Sequence, residues 1–172
     1  MIQLIGPGAA GKTTTGAALA KALDTCFFDL DREFICKNGD ISTYINKYGY
    51  DLYAKQNVEI YLSLLDQAVH SDIFALSSGF MTYGNNIHSD YINLHQQIIS
   101  NKSTFVLLPS FDLETCVAET VRRQLQRSFA RTSEREEEVI RKRFTLYNSF
   151  ALQKLETMKL IDSLVAEILA LL

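Results

Sequence analysis

The chain has 172 residues, 47% of them apolar and 22% charged, which predicts one globular domain over 1–172 with a core that needs no staple. A net charge of −3 argues against a general nucleic-acid or membrane-surface binder, since neither polyanion is attracted overall. Cys26, Cys36 and Cys116 show no metal-ligand spacing and read as small core residues in a reducing cytosol.

Residues 1–5 (MIQLI) predict a strand, too short to be a signal peptide before the glycine-rich stretch GPGAAGKTTTG at 6–16. KTTTGAALAKAL then predicts a helix, and CFFDL a second strand. Short helices are expected over 31–49. A longer one over 52–71 places Val58, Tyr61, Leu62, Leu65 and Val69 at helical spacing. DIFALSS predicts a third strand, followed by the loop GFMTYGNN, a helix over 90–100, and a fourth strand, TFVLLP. A charged helical region over 112–152 leads to a fifth strand at 154–157. An amphipathic C-terminal helix closes the chain, with Leu160, Leu164, Ile168 and Leu171 on its core stripe and too few apolar residues to span a bilayer. Strands alternating with helices predict a parallel α/β sheet covered on both faces.

The opening stretch fits G-x-x-x-x-G-K-[ST] at Gly6, Gly11, Lys12 and Thr13, with a strand before and a helix after. Gly8 and Gly11 allow turns that aim the N–H groups of Gly8, Ala9, Ala10, Gly11, Lys12, Thr13 and Thr14 at an anion, and the helix N-terminus adds its dipole. Lys12 is expected on the outer phosphates of a nucleotide and the Thr13 hydroxyl on Mg²⁺. The other reading is a helix-capping loop.

NKYG at 46–49 lacks the aspartate of a GTPase base-reading motif, and neither DIFALSS nor TFVLLPS ends in the acid of a motor-type ATPase. The acids stand earlier, as Asp29 and Asp31 in FFDLD, at the carboxyl end of the second strand, where parallel sheets bind ligands. One carboxylate there can hold Mg²⁺ and the other can take a proton from an attacking hydroxyl. The same residues could instead cap a helix over 31–35.

The phosphate loop, CFFDLD, RQLQRSFAR and RKRFTLY together resemble the shikimate kinase family of small-molecule P-loop kinases. The resemblance implies a five-stranded parallel sheet ordered 2-3-1-4-5, with helices on both faces, an acceptor-binding segment over about 31–70 and a helical lid over about 122–135. It implies ATP and Mg²⁺ as cofactors, Asp29 near the metal and Asp31 as base on the acceptor hydroxyl. It also implies Arg127 as the lid arginine over the ATP phosphates and Arg143 as an acceptor-binding arginine. Ser128 and Thr145 replace two prolines of the family pattern. Ala54 stands where an arginine grips shikimate's carboxylate, and Ser77–Ser78–Gly79 replaces a triple glycine. Alanine cannot make a two-pronged contact with a carboxylate, so the expected reaction is phosphotransfer to a small hydroxyl compound other than shikimate. A nucleotide, sugar-acid or antibiotic kinase, or a non-catalytic ATP-binding regulator, is the alternative.

Arg123, Arg127 and Arg131 recur every four residues and would share a helix face, suited to neutralising a transferring phosphoryl group. Other charges there, including Arg135 and Arg141, suit a solvated helix. Ser78 and Gly79, with Ser77, Thr82, Tyr83 and Asn85 nearby, either wall a polar acceptor or form a plain loop. Glu156 and Thr157 are expected beside the adenine, and His70, His88 and His95 lack metal spacing. A cytoplasmic monomer or weak dimer, with a small-molecule acceptor and neither nucleic-acid nor membrane partners, is expected.

Overall fold

A computed structural model describes residues 1–125 and 133–172. Five strands form one parallel sheet in the order β2-β3-β1-β4-β5: β1 (Ile2–Ile5), β2 (Phe27–Asp29), β3 (Ile73–Ala75), β4 (Thr104–Leu108) and β5 (Gln153–Glu156). The helices are α1 (Lys12–Leu23), α2 (Leu30–Asn38), α3 (Ile41–Tyr48), α4 (Tyr50–Leu65), α5 (Tyr91–Ser100), α6 (Leu113–Leu125), α7 (Ser133–Ser149) and α8 (Ile161–Leu171). The α/β architecture and strand order are those expected. None of these helices is long and apolar enough to cross a membrane.

The period of two along each strand sorts side chains to two cores. On β4, Phe105 and Leu107 join Leu4, Leu19, Leu164 and Ile168 on one face, whereas Val106 and Leu108 join Ile5, Phe34, Tyr61 and Phe80 on the other. Both faces are covered, which is why these strands read as apolar runs rather than alternating ones. One polar residue interrupts the central strand: Gln3 donates to the Tyr61 hydroxyl at 2.6 Å and accepts from Thr104 Oγ1 at 3.0 Å.

Several expectations are corrected. Helix α4 stops at Leu65, and Val69 lies beyond it, 59% exposed, its N–H bound to the Asp72 carboxylate at 2.9 Å. That carboxylate also accepts from Thr25 Oγ1 at 2.8 Å, tying the turn before β3 to the turn before β2. Leu160 precedes α8 and is 79% exposed, and Leu171 is also exposed; the buried face is Leu164, Val165 and Ile168. Cys26 and Cys36 are exposed, leaving Cys116 as the one core cysteine of the three.

Candidate active site

The segment between β1 and α1 turns through three left-handed or positive-φ residues: Gly6 at φ +148°, Ala9 at +56° and Gly11 at +94°. A Cβ at Gly6 would collide with the Leu107 carbonyl oxygen. Gly8 is not in this group. Its bare Cα instead admits the Gln124 side chain of α6, whose Nε2 lies 2.7 Å from where a Cβ would stand. Helix α1 starts at Lys12 with no side-chain cap, so its first N–H groups open into the loop. Lys12 is buried and its ammonium donates to the carbonyls of Gly6 and Pro7, both at 2.8 Å, bracing the loop from within. Thr14 is exposed, and Ala10 lies in the core beneath the loop.

Asp29, the last residue of β2, does two jobs. Its Oδ1 accepts from the backbone N–H of Asp31 (3.1 Å) and Arg32 (3.2 Å), capping α2, and its Oδ2 accepts from Thr13 Oγ1 at 2.6 Å. Capping and a place beside the phosphate loop are therefore not alternatives here. A hydroxyl and a carboxylate in contact form the hard-oxygen donor set that suits Mg²⁺, so these residues fit that ion. No cluster of three or more histidine, cysteine or acidic side chains suited to a metal occurs among the described residues.

Asp31, in the first turn of α2, faces the end of β3. Asp29 is in register with Ala75, so the residues two further on, Asp31 and Ser77, meet, with Ser77 Oγ donating to Asp31 Oδ1 at 2.5 Å. Burial pushes the Asp31 carboxyl above its ordinary range. The Ser77 hydrogen bond and the Lys12 charge oppose that rise, Asp29 adds to it, and Arg143 opposes it.

Arg143 and Tyr147 lie one turn apart on α7 and both grip Ser78. The guanidinium donates to Ser78 Oγ at 2.9 Å and the phenol donates to the Ser78 carbonyl at 3.0 Å. Gly79 next to it is covered by the Tyr50 hydroxyl and Arg143 Nη2, which stand 2.6 and 3.1 Å from a would-be Cβ. On α4, Tyr53 and Asn57 are likewise one turn apart. Asn57 Nδ2 donates to Ser77 Oγ (2.8 Å), Tyr53 Oη (2.9 Å) and Tyr83 Oη (3.0 Å). Rings of Tyr50, Tyr53 and Tyr83 pack tilted or edge-to-face along this wall with centroids 5.7–6.4 Å apart. Burial pushes the Tyr53 phenol up to about 12, so it stays a neutral hydroxyl at pH 7. Ala54 is 1% exposed and packed in the core.

Of the other anticipated residues, Arg123 reaches the phosphate loop. It donates to the Ala9 carbonyl at 3.1 Å and to Thr157 Oγ1 at 3.3 Å, and is itself held by Glu119 at 2.6 Å. Thr157 packs on Gly11, and its N–H is bound by the Leu108 carbonyl at 2.8 Å. Glu156 turns its carboxylate to the Phe111 N–H and Ser110 hydroxyl, joining β5 to the loop after β4. Thr82 bonds within its own loop, Asn85 is exposed, and Arg141 pairs with Glu114 and Glu137. Arg127 and Arg131, with much of the expected lid, lie outside the described residues. Tyr50, Asn57 and Gln124 were not anticipated as site residues. A helix-internal Asn among apolar neighbours was the one available sign for Asn57.

A phosphate loop at the switch point of a 2-3-1-4-5 parallel sheet, facing a carboxylate pair at the end of β2, defines an α/β P-loop protein of the small-molecule kinase type. More narrowly, the chain belongs to the shikimate kinase family, whose model, described as "Shikimate kinase", matches residues 8–172. Members of that family use ATP and Mg²⁺. Among solved structures, the chain is similar to shikimate kinase from Acinetobacter baumannii in complex with shikimate, at 25% identity, TM-score 0.73, covering 99% of this chain and 90% of that one. It is also similar to shikimate kinase from Bacteroides thetaiotaomicron, at 19% identity, TM-score 0.74 and coverage of 99% and 96%. Deoxyadenosine kinase from M. mycoides shares the fold at 13% identity, TM-score 0.55 and coverage of 98% and 96%. No curated protein sequence matches the chain significantly.

Proposed function

We propose that this chain transfers the γ-phosphate of ATP to a hydroxyl of a small metabolite other than shikimate. What carries this reading is the carboxylate pair beside the phosphate loop, with Asp29 bonded to Thr13 at 2.6 Å and Asp31 two residues further on in the field of Lys12 and Arg143. Loop N–H groups and Lys12 would bind the triphosphate, and Thr13 with Asp29 would hold Mg²⁺. That ion supplies charge neutralisation of the phosphates when bound. Asp31 accepts the proton of the acceptor hydroxyl as its oxygen bonds to the γ-phosphorus and the bond from phosphorus to the ADP oxygen breaks. Burial holds Asp31 above the usual carboxylate range, which makes it a better proton acceptor than an exposed aspartate. Arg123 and Arg127 would close on the nucleotide from the lid side, with Thr157 beside the base. Arg143, Ser78 and Gly79 would face the acceptor.

The replaced arginine supports the choice of acceptor. Ala54 is buried and presents no cation, and apart from Arg143 the wall beside Asp31 described above is built from tyrosine, serine and asparagine. Hydroxyl and amide groups pair with hydroxyls, and a carboxylate there would lack the second guanidinium that Ala54 replaces. The test is ADP release from MgATP across a panel of polyols, nucleosides, sugar acids and shikimate. Acceptor-dependent release with a neutral hydroxyl compound, absent in Lys12→Ala, is the expected result. Tight MgATP binding with no acceptor-dependent release across the panel would favour a nucleotide-binding regulator instead.

A further inference from the structure

The two oxygens of Asp31 are not equivalent. Oδ1 is taken by Ser77 at 2.5 Å, while Oδ2 accepts no hydrogen bond from the described residues. An ionised carboxylate only accepts, so the single hydroxyl hydrogen of Ser77 is committed to Asp31. Ser77 Oγ must then be an acceptor toward every other neighbour, and Asn57 supplies the donor, Nδ2 at 2.8 Å.

That donor leaves Asn57 itself incompletely paired. Its Nδ2 has two hydrogens facing three oxygens, while its Oδ1 is buried with no partner, in a residue that is 0% exposed. Buried carbonyl oxygens without partners are rare because they are costly. A half-turn of the amide would present Oδ1 to the three hydroxyls but would leave both Nδ2 hydrogens at the position that now has no partner, two orphaned donors in place of one orphaned acceptor. It would also draw the Ser77 hydrogen away from Asp31. The amide orientation that leaves Oδ1 orphaned is the one that keeps Ser77 on the carboxylate. We infer that Ser77, oriented by the buried amide of Asn57, is a positioning residue that fixes Asp31 with Oδ2 turned to the acceptor hydroxyl.

This rests on Asp31 being the base, and the experiment separates the two claims. With the acceptor unidentified, the probe is MgATP hydrolysis with water as the acceptor, measured on the whole chain. Ser77→Ala lowers kcat about tenfold, the effect of one hydrogen bond to a charged group, and leaves the KM for MgATP within twofold. Ser77→Thr, which keeps the hydroxyl, restores most of the loss. In an Asp31→Asn background Ser77→Ala produces no further loss, because it acts only through the carboxylate. An unchanged kcat in Ser77→Ala, or a full additional loss in the Asp31→Asn background, overturns the positioning role. If Asp31→Asn alone turns over as fast as the parent, it is the base that is refuted, and a second measurement decides Ser77. Three-bond couplings to Asp31 Cγ in ¹³C,¹⁵N-labelled protein report one side-chain rotamer in the parent and averaged rotamers in Ser77→Ala. A single unchanged rotamer in that variant overturns the inference whatever the turnover.

Discussion

A substitution at Gly79 separates the proposed acceptor wall from the fold. Its backbone sits at φ −96° and ψ −8°, ordinary right-handed space, so Gly79→Ala adds no backbone strain. The three atoms nearest the new Cβ all belong to side chains: Tyr50 Oη at 2.6 Å, Arg143 Nη2 at 3.1 Å and Tyr83 Cε1 at 3.5 Å. Bringing the first to the 3.4 Å of an ordinary contact needs the Tyr50 hydroxyl to retreat by about 0.8 Å, and the guanidinium to retreat by a few tenths. Tyr50 is 41% exposed and the obstacle is the far end of its side chain, so the expected stability cost is under about 1 kcal/mol, or about 4 °C in Tm for a chain of this size. Catalysis is less forgiving, since a misplacement approaching 1 Å costs on the order of a hundredfold.

The expected outcome for Gly79→Ala is therefore a near-native melting curve, MgATP affinity within twofold by calorimetry, and acceptor-dependent ADP release reduced ten- to a hundredfold. Gly6→Ala is the contrasting control. There φ is +148° and the obstacle is the Leu107 backbone carbonyl, which cannot step aside, so a loss on the order of 3 kcal/mol or more is expected. A Gly79→Ala protein that melts like Gly6→Ala, or that loses MgATP while keeping its transfer rate, would refute the division of this site into a phosphate half and an acceptor half.

Asp31→Asn keeps the size and the Ser77 contact but cannot take a proton, so phosphotransfer should fall about 10²- to 10⁴-fold with MgATP binding retained, measured by ADP release and calorimetry. Asp72→Asn tests a structural carboxylate. Hydrogen bonds from the Val69 N–H and Thr25 hydroxyl hold Asp72 below its ordinary 3.8, so its contribution is complete above that pH and is lost as pH falls through the lower folded value. The variant should be less stable by about 1–3 kcal/mol at pH 7 in urea melts, and the gap should close below about pH 3.8. A gap that persists at pH 2 would mean that the loss is steric rather than ionic.

The phosphate half of the site is legible in the sequence because it is local. Residues 2–14 carry strand, turn and helix start together, and the distant carboxylate that meets them, Asp29, is placed by a strand whose end is visible in FFDLD. Even so, the residue that turns left-handed beside Gly6 and Gly11 is Ala9 rather than Gly8. The motif fixes where the loop is, not which of its φ angles is positive. Helix ends were blurred for a similar reason: Val69 keeps the spacing of α4, but Asp72, three residues on, captures its N–H and ends the pattern. The acceptor half is non-local. Asn57, Ser77 and Tyr83 come from a helix, the segment just after a strand and a loop, and they meet only in the tertiary fold, while the β2–β3 register brings Ser77 to Asp31. No spacing rule within the chain predicts that meeting. The polar run after β3 marks Ser77 and Tyr83, but for Asn57, which is 0% exposed, an Asn inside a helical pattern is the trace left in the sequence.

The same packing bears on the proposed acceptor, which on this reading is not one substitution away from shikimate. Ala54 is 1% exposed and lies in the cluster that holds Phe34, Val58 and Tyr61. An arginine there would have to leave the core to reach a ligand, or bury an unpaired guanidinium, and either disrupts the packing that sets Tyr53 and Asn57 one turn apart. Those two residues carry the hydrogen bonds that end on Asp31 by way of Ser77. On the proposed reading, the missing cation at Ala54 and the hydroxyl network beside Asp31 would be parts of one rearrangement. Converting the site to a shikimate acceptor would then require replacing the α4 face and the residues after β3 together, while β1, α1 and Asp29 could stay as they are.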